Sequence, residues 1–286
     1  MNITGINTHI PSPNQLHKVV QLGLKHVRID INWEIVEPQQ GIYNFDALDS
    51  AVNYAIKNKL KVFATIAYSP SWQGGRTAVP NTQEWSLFVT MVVRRYKGKI
   101  EAYGMWNEPN LPGFWSGTIQ QYLNVILVPG WKAVKREHSS ALVVAPDLAT
   151  IGSQWPTWLD AMAEYKNAFD VLAIHNYEDT PAKMETTFYQ GGWKPLQLFI
   201  PKYRPIKQYI DKVGKPTWLC EMGWTSNRFG IDGQFARYKD FITSATLPVD
   251  RIYAYELQDD NNTEDRWGLY YADGTAKLAT QAFTNG

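Results

Sequence analysis

Two glutamates carry the clearest chemical signal in this chain. Glu108 stands in Trp106-Asn107-Glu108-Pro109, directly after an apolar and aromatic run with the character of a buried strand. Glu221 ends a similar run, Thr217-Trp218-Leu219-Cys220-Glu221. Carboxyl groups at the carboxyl ends of two separate strands can face each other across one bond. Hydrolysis of a glycosidic bond by double displacement needs that arrangement, with one carboxyl as acid and then base and the other as nucleophile.

The elements that would hold such a pair are legible as an alternation. Eight short β-rich runs, over 3–7, 26–31, 61–68, 102–107, 142–148, 171–177, 216–222 and 251–257, are separated by stretches of helical period. The clearest of these stretches cover 45–59, 82–96, 119–137, 153–165, 196–213 and 234–245. Strand and helix in regular alternation specify a parallel sheet, and eight units in one chain of this length specify an α/β fold of the single (β/α)8 barrel type. A doubly wound sheet would need a glycine-rich turn after the first strand, whereas that turn reads Thr8-His9-Ile10-Pro11-Ser12-Pro13. No Gly/Ser-rich or Pro-rich linker divides the alternation, so residues 1–286 are read as one catalytic domain.

In such a barrel the loops after the strands form the reactive face, and residues at strand ends converge there. They are His9, Arg28, Asp30, Trp33, Tyr68, Trp72, Asn107, Glu108, Asp147, His175, Tyr177, Glu221, Trp224, Tyr255 and Gln258. Two Glu, one Arg and several His, Tyr and Trp suit a carbohydrate better than a phosphate or a metal. A lone histidine such as His175 is more often a hydrogen-bonded core residue, but its place near a strand end gives it a candidate role beside the acid or the substrate. Arg28 has no reason to point into a barrel mouth unless a carboxylate needs it, and it is the cation best placed to keep Glu221 ionised. Trp72, Trp115, Trp193, Trp224 and Trp267 fall in or beside loops. Packing on the scaffold is the commoner fate of such rings, though Trp224 is three residues beyond Glu221.

Composition narrows the partners. Lys and Arg total 28 against 27 Asp and Glu, so a net charge of +1 gives no electrostatic reason to expect nucleic acid or an anionic membrane. Twelve Trp and 16 Tyr supply flat rings of the kind that stack on sugars. A single cysteine, Cys220, excludes an internal disulfide and offers no zinc-type spacing; no metal or cofactor is expected. The first residues lack a basic region followed by an apolar one, and no apolar run approaches the roughly 18 residues of a membrane span. The expectation is a monomer acting on an oligo- or polysaccharide, with its compartment open. Gln258-Asp259-Asp260-Asn261-Asn262-Thr263-Glu264-Asp265 resembles a calcium loop in composition but lacks its Gly and spaced Glu, and reads as a solvated loop beside the cleft.

The Asn-Glu-Pro of the fourth strand with the glutamate ending the seventh resembles the clan of (β/α)8 retaining glycoside hydrolases called clan A. From Val27-Arg28-Ile29-Asp30 through Met105 to Tyr255-Glu256-Leu257, the chain is most similar to family 39-like and family 5-like glycosidases. That resemblance implies that Glu108 is the general acid/base and Glu221 the nucleophile. It implies that the Asn107 amide donates to the sugar 2-hydroxyl and that Tyr177 hydrogen-bonds the nucleophile. Asn107, one residue before the acid, should point to another side of the strand unless the backbone is irregular there. The aromatic loops and the lack of residues for an accessory domain suggest internal cleavage of a β-linked polysaccharide, such as a bacterial exopolysaccharide. An exo-acting β-glycosidase of β-xylosidase or β-glucosidase type, a transglycosylase and a catalytically silent carbohydrate-binding barrel are the alternatives. The last has no need of both carboxylates.

Overall fold

The computed structural model describes residues 3–261 and 264–284. Eight parallel strands close into a barrel in sequence order: β1 Gly5–Asn7, β2 His26–Asn32, β3 Lys61–Ala67, β4 Ile100–Met105, β5 Leu142–Ala149, β6 Val171–His175, β7 Thr217–Met222 and β8 Arg251–Ala254. β8 pairs with β1 through Gly5 and Tyr253, which closes the cylinder and removes the exposed strand edges that an open sheet would present. The (β/α)8 architecture expected from the alternation is therefore present. Strands β3, β4, β6 and β8 end one to three residues earlier than their apolar runs, because the last residues of those runs turn into the reactive face, while β2 and β5 run one residue further.

Alternation within each strand fills two cores. Residues pointing outward, such as Ile29, Val62, Tyr103 and Leu219, pack beneath the helices. Those pointing inward form a compact cluster with Phe63, Trp218, Cys220 and Tyr253 among its members. The three rings meet edge-on or tilted at centroid distances of 5.5–6.0 Å and make an aromatic floor. The Arg28 guanidinium lies above that floor, 5.7 Å from the Phe63 ring centre.

Three helical stretches depart from the sequence expectation for local reasons. The run over 196–213 is broken into Lys194–Gln197, a 3-10 turn Pro201–Tyr203, and Ile206–Val213, since Pro201 and Pro205 lack the N–H that would continue a helix. The run over 234–245 starts earlier, at Ser226, and is interrupted at Gly230 (φ 73°, ψ 168°). The helix over 119–137 contains a π turn, Tyr122–Leu127, where the buried Tyr122 hydroxyl donates to the Met105 carbonyl at 2.8 Å. That bond fixes the end of β4 immediately before the Asn-Glu pair, in keeping with the association of π turns with working sites.

Candidate active site

The barrel mouth is built around Arg28, which comes from the middle of β2 and is buried. Nε donates to Thr65 Oγ1 at 3.0 Å. Nη1 donates to Asn7 Oδ1 at 2.6 Å and to Glu221 Oε1 at 2.8 Å. Nη2 donates to Asn107 Oδ1 and Asp147 Oδ2, both at 2.8 Å. A guanidinium has five N–H donors, and all five have acceptors here. The other oxygen of Glu221 accepts from the Tyr177 hydroxyl at 2.7 Å. His175, at the end of β6, joins the two halves of the site: its Nδ1 is 2.9 Å from Glu108 Oε1 and its Nε2 is 3.1 Å from Asp147 Oδ1.

Backbone irregularity aims these groups. Trp106 (φ 77°), Glu108 (φ 43°) and Asp147 (φ 58°) are non-glycine residues in the left-handed region, a conformation that costs on the order of 1–3 kcal/mol and concentrates at functional sites. Because β4 has already ended at Met105, Asn107 and Glu108 escape strict strand parity and both line the cleft. Register shifts between Ala145 and Leu148 on β5, and between Leu219 and Met222 on β7, bracket Asp147 and Glu221. Such shifts re-aim side chains next to active sites.

A Glu108 oxygen, a His175 ring nitrogen and a Glu221 oxygen all lie within 4.8 Å of one another. Retaining pairs sit about 5–5.5 Å apart, whereas inverting pairs need roughly 6.5–9.5 Å to admit a water between them. The closest approach of the two carboxylates falls on the retaining side of that divide. Charge follows from the same contacts. Burial lowers the basicity of His175, but the Glu221 and Asp147 carboxylates more than offset it and raise its pKa to about 10. Burial raises the Asp147 carboxyl in turn, yet Arg28 and His175 outweigh that and hold it ionised, well below the usual range. Burial pushes the Glu221 carboxyl up, against the pull of His175 and Arg28. Desolvation is the largest influence on Glu221, and His175 works beside Arg28 against it. Among the described residues, Glu108, His175 and Glu221 are also the one group of His and carboxylates close enough together to ligate a cation.

These carboxylates open into a cleft of about 800 Å³. The Asn107 amide donates to the Tyr68 hydroxyl at 3.1 Å and lines the cleft. Tyr255 lines the opposite wall. Beside it, half-exposed His9 sits between Asp30 at 2.8 Å and Glu256 at 2.9 Å. Burial opposes protonation of His9, but Asp30 and then Glu256 keep its pKa well above the ordinary histidine value.

A family model described as Cellulase (glycosyl hydrolase family 5) matches residues 1–247. The chain belongs to glycosyl hydrolase family 5. Over 209 residues it is 25% identical to a β-xylosidase of Geobacillus stearothermophilus, a match covering 64% of this chain and 41% of that protein, so the chain spans well under half of this relative. Among solved structures, a family 39 glycoside hydrolase from Bacteroides cellulosilyticus WH2 superposes with a TM-score of 0.73 at 20% identity, covering 98% of this chain and 62% of the other. A GH5_18 protein from Streptomyces cattleya gives a TM-score of 0.76 at 13% identity, over 99% and 79%. Both superpositions show the shared fold. The resemblance to clan A enzymes of the family 5 and family 39 type agrees with these matches.

Not every residue foreseen for this family 5 site reaches it. Glu108, Glu221, Arg28, Asn107, His175, Tyr177 and Tyr255 line one cavity. Trp224 does not: it is fully buried, its Nε1 donates to the Glu178 carbonyl, and its ring packs edge-on against Tyr238. Trp72 donates to the Glu37 carbonyl and packs edge-on against Trp33, behind the wall. Trp33 is buried against Phe88, Trp115 is buried near Trp106, and Trp193 is an exposed surface ring. Gln258 is held by Lys18 and the Ala272 carbonyl, outside the cleft. Trp267 is the loop tryptophan that lines it, edge-on to Tyr177 at 5.0 Å.

The acidic run is not a simple solvated loop either. Asp259 is buried, accepts the Gly268 N–H at 2.8 Å and pairs with buried Lys277 at 2.8 Å, while Asp265 borders the cleft. Asn262 and Thr263 of that run, like Met1 and Asn2 of the N-terminus, lie outside the described residues. Sequence reasoning overlooked Asn7 and Thr65, which support Arg28. Thr65 left a trace as a polar residue two positions from inward-facing Phe63, and Asn7 as the last residue of its run. Among the described residues no helix is long and apolar enough to cross a membrane.

Proposed function

We propose that the chain is a retaining glycosidase that cuts within β-linked polysaccharides, with Glu108 as acid/base and Glu221 as nucleophile. The spacing of the Glu108 and Glu221 oxygens, within 4.8 Å, is the observation that carries this reading. Arg28, His175, Asp147, Glu221 and Glu108 form one buried cluster of two cations and three carboxyls, neutral overall when one carboxyl keeps a proton. Arg28 and Tyr177 each hold one oxygen of Glu221 and favour its ionised form, and the role of acid falls to Glu108.

Glu108 gives that proton to the departing glycosidic oxygen while a Glu221 oxygen attacks the anomeric carbon. Water, deprotonated by Glu108, then releases the sugar with its original configuration. The Asn107 amide, at the cleft wall, is assigned to the sugar 2-hydroxyl, whose hydrogen bond strengthens as the anomeric centre becomes cationic. His175 holds Glu108 from behind in the orientation needed for both proton transfers.

One feature supports cleavage within a chain. The cleft adjoins a recess of about 720 Å³ beyond Ile151, past the Glu108 loop, and another past Trp267, so the mouth is open on both sides of the cleaved bond. The family description and the Geobacillus relative's name bring β-glucans and β-xylans forward as substrates, beside bacterial exopolysaccharides. The test is digestion of β-linked xylans, glucans, mannans and exopolysaccharides by the wild type and by Glu221→Gln, with products sized and their first anomer read by NMR. Short oligomers of β configuration from the wild type alone are expected. Release of terminal monosaccharides only would refute internal cleavage.

A further inference from the structure

We propose that the recess behind Trp267 is a distal subsite that binds a neutral pyranose unit of the chain being cut, on the Glu221 side of the cleaved bond. This rests on the reading above and adds where the rest of the substrate lies. The recess measures about 400 Å³, within the roughly 300–1,000 Å³ of small-molecule sites. Tyr177, Asp265 and Trp267 line both it and the catalytic cleft, so a chain leaving the cleft past Trp267 enters it directly. Tyr177, whose hydroxyl donates to Glu221, and Gly223, two residues past Glu221, line the recess, whereas Glu108 and its partner His175 border only the cleft, which places the recess toward the Glu221 side.

Its chemistry is that of a sugar site. Phe229 and Trp267 supply rings for the apolar face of a pyranose, and Asn227, Arg228 and Asp179 surround them with hydroxyl partners. The break at Gly230 separates the turn bearing Phe229 from the rest of its helix. The Arg237 guanidinium, 3.9 Å from the Phe229 ring centre and bonded through Nε to the Asp179 carbonyl, supports the ring from behind. The charges are matched: Arg228 pairs with Asp179 at 2.8 Å, and Lys183 pairs with Glu178 at 3.2 Å. With no surplus positive charge to attract a carboxylate, the recess suits an uncharged sugar better than a uronate.

The wall between cleft and recess is built to stay in place. Fully buried Gln234 donates through one nitrogen to the carbonyls of Trp224 at 2.8 Å and Trp267 at 3.1 Å. Next to it, a Cβ on Gly268 would fall 2.3 Å from the Asp259 backbone nitrogen, so the loop is seated tightly on its own chain. A wall fixed before the substrate arrives costs little ordering entropy on binding.

Calorimetric titration of Glu108→Gln with β-1,4-linked xylo-, cello- and manno-oligosaccharides of two to six units tests the subsite without turnover. Affinity for one series should rise with chain length. That rise should fall about tenfold when Phe229→Ala or Arg228→Ala is added, with shorter oligosaccharides binding as before. Using two variants guards against one that misfolds, and a melting curve identifies it. Affinity independent of length in every series, or a rise that survives in both variants, overturns the subsite. Length-dependent binding by a wild type that hydrolyses none of these chains would instead overturn the proposed hydrolase and leave the subsite standing.

Discussion

Arg28 commits every N–H it has to five side chains inside the barrel, and this one residue ties Glu221 to the rest of the site. Lysine keeps the charge but not the planar fork, so Arg28→Lys leaves several buried acceptors without donors. A loss of about 3 kcal/mol in urea unfolding and a large drop in kcat are expected. His175 gives a prediction with a sign. Its folded pKa of about 10 exceeds the unfolded value near 6.5, so its contribution is fully present below about pH 6.5 and lost as pH rises through about 10. Half-exposed His9, also raised, adds in the same direction. Thermal stability should fall between those pH values, and more steeply in wild type than in His175→Gln. An equal slope in both proteins would place the titration elsewhere. At this scale the sequence was read well where a residue's type implied a need, as with Glu108, Glu221 and the buried cation Arg28. It was read badly where distance along the chain stood in for direction. Trp224 is three residues past Glu221 and faces the helices, whereas Trp267 is far along the chain and faces the cleft.

The elements explain both outcomes. All eight strands follow from apolar runs with turn signals between them, because a parallel barrel buries both faces of each strand and leaves nearly continuous hydrophobic stretches. What runs of that kind do not encode is how each strand ends. The left-handed residues at Trp106, Glu108 and Asp147 and the register shifts on β5 and β7 are set by packing at the mouth, and they are what bring Asn107 and Glu108 to one cavity. The loop after β8 was read as solvated from its polar composition, yet it closes over a buried ion pair that no local pattern announces. Lys277, from beyond that loop, donates to Asp259 and also to the Arg266 carbonyl at 3.3 Å. Lys277→Met strands the Asp259 carboxylate away from water and should cost about 3–5 kcal/mol by urea unfolding. The loosened Trp267 wall should also raise KM for long oligosaccharides more than for a short aryl glycoside. Unchanged stability would mean that the pair is solvated after all.

Taken whole, the molecule is a closed cylinder that is greasy and aromatic at its floor, cationic at Arg28, and acidic at its mouth. Each layer serves the next. Phe63, Trp218 and Tyr253 exclude water below Arg28, Arg28 orients Glu221, Asn107 and Asp147, and Asp147 with both glutamates keeps His175 charged behind Glu108. A near-neutral net charge gives no electrostatic reason to expect a charged partner, which is compatible with the neutral polysaccharide proposed as substrate. The most direct test of the account is chemical capture of its covalent intermediate. A 2-deoxy-2-fluoro β-glycoside with a good leaving group, matched to the sugar that the wild type releases, slows both steps and the second more than the first. The mass of the intact protein should rise by one fluoroglycosyl unit, and peptide mapping should place that unit on Glu221. A label on any other residue, or an unlabelled protein that turns the substrate over with inversion, would contradict it.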